Sequence, residues 1–382
     1  MSEMEFDFET AAASQVSNSL KWSKYKGRDI LPLWVADMDF LCPPAVLEAL
    51  HRRIDQGVFG YGGPSDDLVG VVVDTLEREF NWKVEPDWLV WLPGLVSGLS
   101  VTCKAVGKKG DGVLVNTPVY PPFLKAPGLM ERTLETVSLS GGNKEGWTLD
   151  RRRFEAGITK STSLFILCHP HNPVGRMWTE EELAMMAEVC LDNRVLICSD
   201  EIHNQLVLDP VRRHVPLATL GPSVAARTIT LMAPSKTFNV PGLGCSLAII
   251  PDEGIRRRFV HAGLGIVPHV NVLGLTAAEA CWRDGGPWLS ALTEYLRGNL
   301  AYLKGRVAAW PSITMAEVEA TYLAWLNVEA LGLKDSASHF ENHGVGLSDG
   351  REFGGPGYLR LNFGCPRSIL EEACDRIEAG IK

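Results

Sequence analysis

The chain has 382 residues, enough for two or three average domains around a large core. Hydrophobic residues make up 46% and charged residues 22%, an ordinary globular composition. The net charge of −9 argues against nucleic acid as a partner, because phosphate backbones select basic surfaces.

The first residues are acidic (Glu3, Glu5, Asp7, Glu9) and lack an apolar core, so no signal peptide is expected. No apolar stretch approaches the roughly 18 residues of a membrane span. Ser65-Asp66-Asp67 predicts a helix start, with the helix running to Phe80. Pro93-Gly94-Leu95-Val96-Ser97-Gly98 precedes an apolar helical stretch. A helix start there would offer free N–H groups to an anion, and an ordinary glycine turn fits the same residues. Five apolar runs follow: Val113–Asn116, Leu164–Cys168, Val195–Cys198, Ile229–Met232 and Leu247–Ile250. Their continuity, without alternation, suits strands buried on both faces. Arg151-Arg152-Arg153 and Arg256-Arg257-Arg258 are read as solvated helix faces. Thr179-Glu180-Glu181-Glu182 has the form of a capping box opening a helix. After Pro287, leucines at 289, 292, 296, 300 and 303 mark a long amphipathic helix. A strand at Tyr358–Asn362 and a helix from about Ser368 close the chain.

The pattern is α/β. It predicts a large domain over 46–285 with a mostly parallel sheet flanked by helices. A smaller α/β domain is predicted over 286–382, joined by the N-terminal segment 1–45. The nine cysteines form no Cys-x-x-Cys pair, which points to free thiols in a reducing cytoplasm.

Three of the apolar runs end in polar residues of chemical interest: Asn172 in His171-Asn172-Pro173, Asp200 in Ser199-Asp200-Glu201, and Lys236 in Ser235-Lys236-Thr237. In an open parallel sheet such ends converge on one crevice, where ligands bind. A lysine there can bind pyridoxal phosphate covalently, and an aspartate can pair with its pyridine nitrogen. Each residue alone is weak: a surface lysine, a helix-capping aspartate, an asparagine turn. His169, His171 and His203 lack metal-ligand spacing, so no metal is expected. Dinucleotide, P-loop and nucleophile-elbow motifs are absent from the sequence.

With these motifs the sequence resembles the class I/II aminotransferase family of fold-type I pyridoxal-phosphate enzymes over nearly its whole length. It is most similar to the cystathionine β-lyase, or C–S lyase, branch known as MalY/PatB. The marks of that branch are Trp34–Phe40 (WVADMDF), Val58–Tyr61, Ser199–His203, Ala233–Asn239 and Thr321–Trp325. The resemblance implies roles. Lys236 would hold the cofactor and move the substrate's α-proton, with Asp200 on the pyridine nitrogen and Asn172 on the ring oxygen. Tyr120 would stack on the ring. Gly94, Leu95, Val96 and Ser235 would serve the phosphate, and His203 would also touch the cofactor. Arg360 would clamp the substrate carboxylate, a bidentate task suited to guanidinium; a structural salt bridge is its other reading. Asp37 is assigned to the substrate. Tyr61 would reach across from a second subunit to both cofactor and substrate, which implies a homodimer with shared sites.

Two departures from the wider family stand out. His203 and Gly244 occupy positions where those enzymes often carry a tyrosine and a phosphate-binding arginine. The implied activity is carbon–sulfur β-elimination from cystathionine or cysteine S-conjugates, giving a thiol, pyruvate and ammonia. Amino-group transfer on the same scaffold is the first alternative. A regulatory protein acting by partner contact is the second. The group beyond the sulfur would meet Asp37–Leu41, Gly60–Gly63, Tyr322 and Trp325, unless Trp325 is a plain core residue.

Overall fold

The computed structural model describes residues 6–16 and 18–382. Glu3 and Glu5 of the acidic start lie outside the described residues. A seven-stranded sheet forms the centre, in the spatial order Leu89–Leu92, Ser246–Ile249, Thr228–Met232, Leu196–Asp200, Thr162–Cys168, Gly112–Thr117 and Thr133–Ser138. The last five run parallel. Ser246–Ile249 is antiparallel to both of its neighbours.

Side chains alternate across these strands into two separate cores. Val113, Val115, Ile166 and Cys198 pack to one side with Leu99 and Phe259. Leu114, Phe165, Leu167 and Ile197 pack to the other with Leu183 and Met186. Both faces are therefore covered by helices, which is why these strands read as unbroken apolar runs. Thr133–Ser138 left no such run: it is an edge strand with mostly exposed side chains.

The helices start where their caps dictate. Ser65 Oγ accepts the Leu68 N–H at 3.0 Å, and the helix runs Asp66–Phe80. The reciprocal bonds of the box at Thr179 and Glu182 are both present, opening Glu180–Asp192. The long helix spans Gly286–Ala308 and buries Leu292, Leu296, Leu300 and Leu303. These leucines share a third core with Leu326, Leu361 and the C-terminal helix Arg367–Ile381.

That C-terminal region carries a four-stranded antiparallel sheet, ordered Thr314–Met315, Leu323–Asn327, Tyr358–Asn362 and Ser348–Asp349. The N-terminal segment is stitched onto it. Leu31–Pro32 pairs with Val345–Gly346, and Asn362 Nδ2 donates to the Val35 and Asp37 carbonyls at 2.7 and 2.6 Å. A buried ion pair, Lys21 with Asp39 at 2.8 Å, fixes the same segment from its other side.

Candidate active site

Three connections leave the carboxyl ends of parallel strands at one place. They carry Asn172 after Thr162–Cys168, Asp200 at the end of Leu196–Asp200, and Lys236 after Thr228–Met232. All three line a cavity of about 360 Å³. Its wall also contains Gly94, Leu95, Val96, Tyr120, His203, Ser235 and Arg360, so every cofactor-site candidate of this chain except Tyr61 meets there.

The Lys236 ammonium donates to the Ala36 carbonyl. Burial holds its pKa down to about 8; Asp37 and Asp200 pull it up and Arg360 pushes it down. The free amine is thus reachable near neutral pH. Asp200 shows the converse effect. Burial pushes its carboxyl up to about 7, against the downward pull of the Ile202 N–H, which meets Oδ1 at 3.2 Å. A cation placed beside Asp200 would restore its charge. Burial also pushes His203 down to about 3, so its imidazole is neutral, and its Nδ1 has no partner among the described residues.

Arg360 is 3% exposed and has neutral partners: Asn172 Oδ1 at 3.0 Å, the Trp34 carbonyl at 2.9 Å and Ser348 Oγ at 3.4 Å. Its guanidinium carbon sits 4.7 Å from the centre of the Phe353 ring. Burial lowers its pKa to about 10, still cationic at neutral pH. A buried cation whose hydrogen-bond partners are all neutral, with no salt bridge among the described residues, is set up to receive an anion, although Glu352 shares its cavity wall.

The helix Leu95–Ala105 starts at the cavity wall, with Gly94 at its cap. Ser97 Oγ turns back to the Gly94 carbonyl at 2.6 Å, leaving the first N–H groups of the helix without side-chain acceptors. Tyr120 precedes the helix Pro121–Leu129, its N–H bonded to the Asn172 carbonyl at 3.2 Å. Burial raises its pKa.

Two candidates stand apart from this group. The Asp37 side chain is outside the cavity wall, which takes Trp34, Val35 and Ala36 from that segment. Its Oδ1 is buried without a partner among the described residues, and burial raises its pKa. Tyr61 is fully exposed, in a stretch of irregular backbone over 57–65. Tyr322 and Trp325, weighed above as pocket aromatics, are wholly buried. Trp325 stacks on Tyr358 at 5.2 Å, and the Tyr322 hydroxyl donates to the Ala36 carbonyl at 3.0 Å. Both are core residues behind the wall, because Leu323–Asn327 is an interior strand of its sheet.

A family model for aminotransferase class I and II matches residues 28–377. The chain belongs to the class I and II aminotransferase family. Its likeness to cystathionine β-lyase PatB of Bacillus subtilis (strain 168) is 38% identity, over 96% of this chain and 97% of that protein. Among solved structures, OvoB superposes with a TM-score of 0.96 at 43% identity, covering 99% of both chains. Cystalysin from Treponema denticola, which contains a pyridoxal 5'-phosphate cofactor, superposes with a TM-score of 0.94 at 32% identity, covering 99% of both chains.

Sequence reasoning did not find several wall residues of this family member. Ser348, Glu352 and Phe353 lie more than 110 positions from Lys236 and follow no periodic run, while Trp34 and Val35 enter only as part of the Trp34–Phe40 motif. Asn239 was quoted only as part of a motif. It holds φ +55° and bonds Met38 N, Met38 O and Phe40 O at 2.9, 3.0 and 2.8 Å. It thereby joins the lysine loop to the N-terminal segment, a pairing that local sequence does not signal.

Proposed function

We propose that this chain is a pyridoxal-phosphate-dependent carbon–sulfur β-lyase acting on cystathionine or on cysteine S-conjugates. The observation that carries this reading is the meeting of Lys236, Asp200, Asn172 and Arg360 in one cavity of a chain 38% identical to a cystathionine β-lyase.

The residues present fit the cofactor. Asp200 is a buried carboxyl in need of a cation, and a protonated pyridine nitrogen is one. The helix start at Gly94–Val96 and the Ser235 hydroxyl offer donors for the phosphate. Asn172 would serve the ring oxygen and Tyr120 the ring face, with the neutral His203 beside them. When bound, pyridoxal phosphate supplies an electron sink for the pair left at the substrate's α-carbon.

The chain's own groups do the rest. Arg360 holds the substrate carboxylate and so sets which α-substituent faces Lys236. Lys236 Nζ, with its lowered pKa, takes the α-proton as general base. The thiol then leaves the β-carbon, and the remaining fragment hydrolyses to pyruvate and ammonia. Asp37, through its charge near Lys236, belongs to the substrate side of this reading.

The same reading takes the active form to be a homodimer in which Tyr61 completes the neighbouring subunit's site. Its support is exposed apolar surface beside Tyr61: Val58 at 69% and Phe59 at 54% exposure. It also keeps 46–285 as the cofactor-binding domain, with 286–382 and the N-terminal segment forming the smaller one. A cytoplasmic site of action is supported by the cysteines, all nine of them free and eight buried. Among the described residues, no helix is long and apolar enough to cross a membrane.

The deciding experiment supplies L-cystathionine and pyridoxal phosphate to the purified protein without a keto-acid acceptor. Sustained pyruvate release matched by homocysteine supports the lyase. A single half-turnover that leaves the amino group on the cofactor replaces it with amino-group transfer.

A further inference from the structure

Behind the cavity wall lies a buried polar cluster that the reaction leaves unused. Glu201 follows Asp200, is fully buried and takes no part in the cavity wall. Its Oε1 accepts the Ser199 hydroxyl at 2.7 Å and the Leu217 N–H at 3.1 Å. Its Oε2 meets His214 Nε2 at 2.8 Å. The His214 ring stacks on His169 with centres 4.3 Å apart. The backbone N–H of His169 in turn donates to the Asp200 carbonyl at 2.9 Å. The two neighbours of Asp200 are thus bonded to each other, and its own carbonyl is held by a residue stacked on the same histidine. A closed circuit surrounds one peptide unit.

Packing alone does not account for it. Burial pushes Glu201 up to about 7 and both histidines down to about 3, so the charged forms are all disfavoured here. Apolar residues of similar volume are commonly as stable or more stable than such a buried pair. Among the described residues, the Asp200 carboxyl meanwhile receives a single N–H, at 3.2 Å. The aim of its carboxylate is therefore set by its backbone, which the strand ladder holds between Cys168 and Leu231 and which the Glu201 side chain braces through Ser199, Leu217 and His214.

We infer that Glu201, clamped by Ser199, His214 and Leu217, is a positioning residue that fixes the direction in which Asp200 reaches the pyridine nitrogen. The inference rests on the cofactor reading above. It adds an indirect contributor to cofactor binding that never touches the cofactor.

The test is titration of the cofactor-free full chain with pyridoxal phosphate, followed by the long-wavelength absorbance of the bound cofactor, with Asp200→Asn as reference. Glu201→Ala is expected to weaken binding about tenfold or more and to move the band in the direction that Asp200→Asn moves it. Glu201→Gln keeps an acceptor oxygen for Ser199 and Leu217 and is expected to recover most of that loss, which a simple space-filling role would not predict of Gln over Leu. Glu201→Ala with wild-type affinity and band, beside a shifted Asp200→Asn, overturns the inference. Should circular dichroism show Glu201→Ala unfolded, Ser199→Ala and His214→Asn are titrated instead. Weakened binding in both supports the clamp, and wild-type binding in either overturns it. A wild-type chain that binds no pyridoxal phosphate removes the cofactor reading itself, and the inference with it.

Discussion

The strand ends that carry Asn172, Asp200 and Lys236 differ from the segment that carries Tyr61 in what holds them. The strands are buried on both faces; Asp200 is aimed by ladders of backbone bonds on both sides, and Asn172 and Lys236 stand in the connections four residues beyond the ends of their strands. Residues 57–65 are all exposed and irregular, between the helices Pro44–Asp55 and Asp66–Phe80. One region is completed within a single chain. The other presents an aromatic side chain to solvent, and its use depends on what docks against it. The comparison teaches that a site can be divided into a part the fold guarantees and a part that assembly must supply.

The largest effect tests that division directly. Lys236→Ala alone should lower turnover about 10³-fold or more, since it removes both the cofactor anchor and the general base. If Tyr61 acts across a subunit boundary, mixing Lys236→Ala chains with Tyr61→Ala chains should restore activity, to about half of wild type in the hybrid dimers and about a quarter in the random mixture. Recovery requires each hybrid to hold one site with both residues intact. Co-expression with two different tags, followed by assay of the doubly tagged fraction, measures it. A hybrid fraction as inactive as its parents would place Tyr61 in its own chain's site or in none.

The part that the fold guarantees was also the part legible in sequence. Leu164–Cys168 and Ile229–Met232 announce themselves because strands covered on both faces need apolar residues at nearly every position. The box at Thr179 and the cap at Ser65 are local chemistry and read equally well. Contacts between distant segments left no such trace. Nothing around His214 signals that it will meet Glu201, because residues 209–216 are irregular and their positions are set by tertiary packing. Likewise the antiparallel direction of Ser246–Ile249 is decided by its connections and leaves its composition unchanged. The assembled part is least legible of all, since an exposed Tyr61 looks the same in one chain whether or not a partner uses it.

Within the interior region, Arg360 should show the next largest effect. On the proposed reading Arg360→Ala strips the cavity of its substrate clamp, a change worth about 2–5 kcal/mol in kcat/KM, or roughly 30-fold to several thousand-fold. Arg360→Lys should recover only part, because an ammonium cannot form the two parallel bonds. Cofactor absorbance should stay near wild type in both, as Asn172 keeps its place through the backbone. If Arg360→Lys equals wild type in kcat/KM, the carboxylate is held elsewhere.

The interior site should also carry a measurable stability penalty that the exposed segment lacks. Lys236 titrates at about 8 in the folded chain against 10.5 ordinarily. Between those values the unfolded chain binds more protons, so stability rises with pH across this window. Below about pH 8 the penalty is present in full, and it amounts to about 3 kcal/mol. Cofactor-free Lys236→Met should therefore be more stable than cofactor-free wild type at pH 7, by about that much, with the gap shrinking towards pH 10. Urea melts at the two pH values measure it. A gap that is absent at pH 7, or unchanged at pH 10, would mean the ammonium is solvated and the wall around it is looser than described. Tyr61→Ala, at a fully exposed position, should move the same melts by no more than about 0.5 kcal/mol.

The smallest effect concerns how firmly the interior site grips its anion. With glycine at 244, the proposed reading gives the phosphate to the helix start at Gly94–Val96 and to Ser235, whose hydroxyl makes no hydrogen bond to another described residue. Ser235→Ala removes one neutral donor among several, a change worth about 1 kcal/mol, so the cofactor Kd should rise about fivefold. Turnover at saturating cofactor should hardly change, because Lys236 and Asp200 keep their backbone positions. Gly244→Arg is not expected to compensate: Gly244 sits at φ +59°, with the Pro93 carbonyl 3.0 Å from where a Cβ would stand. An arginine there must first move backbone that also forms the phosphate corner. A Ser235→Ala loss beyond about a hundredfold would show that the helix start contributes little, and that the division of labour within the interior site runs the other way.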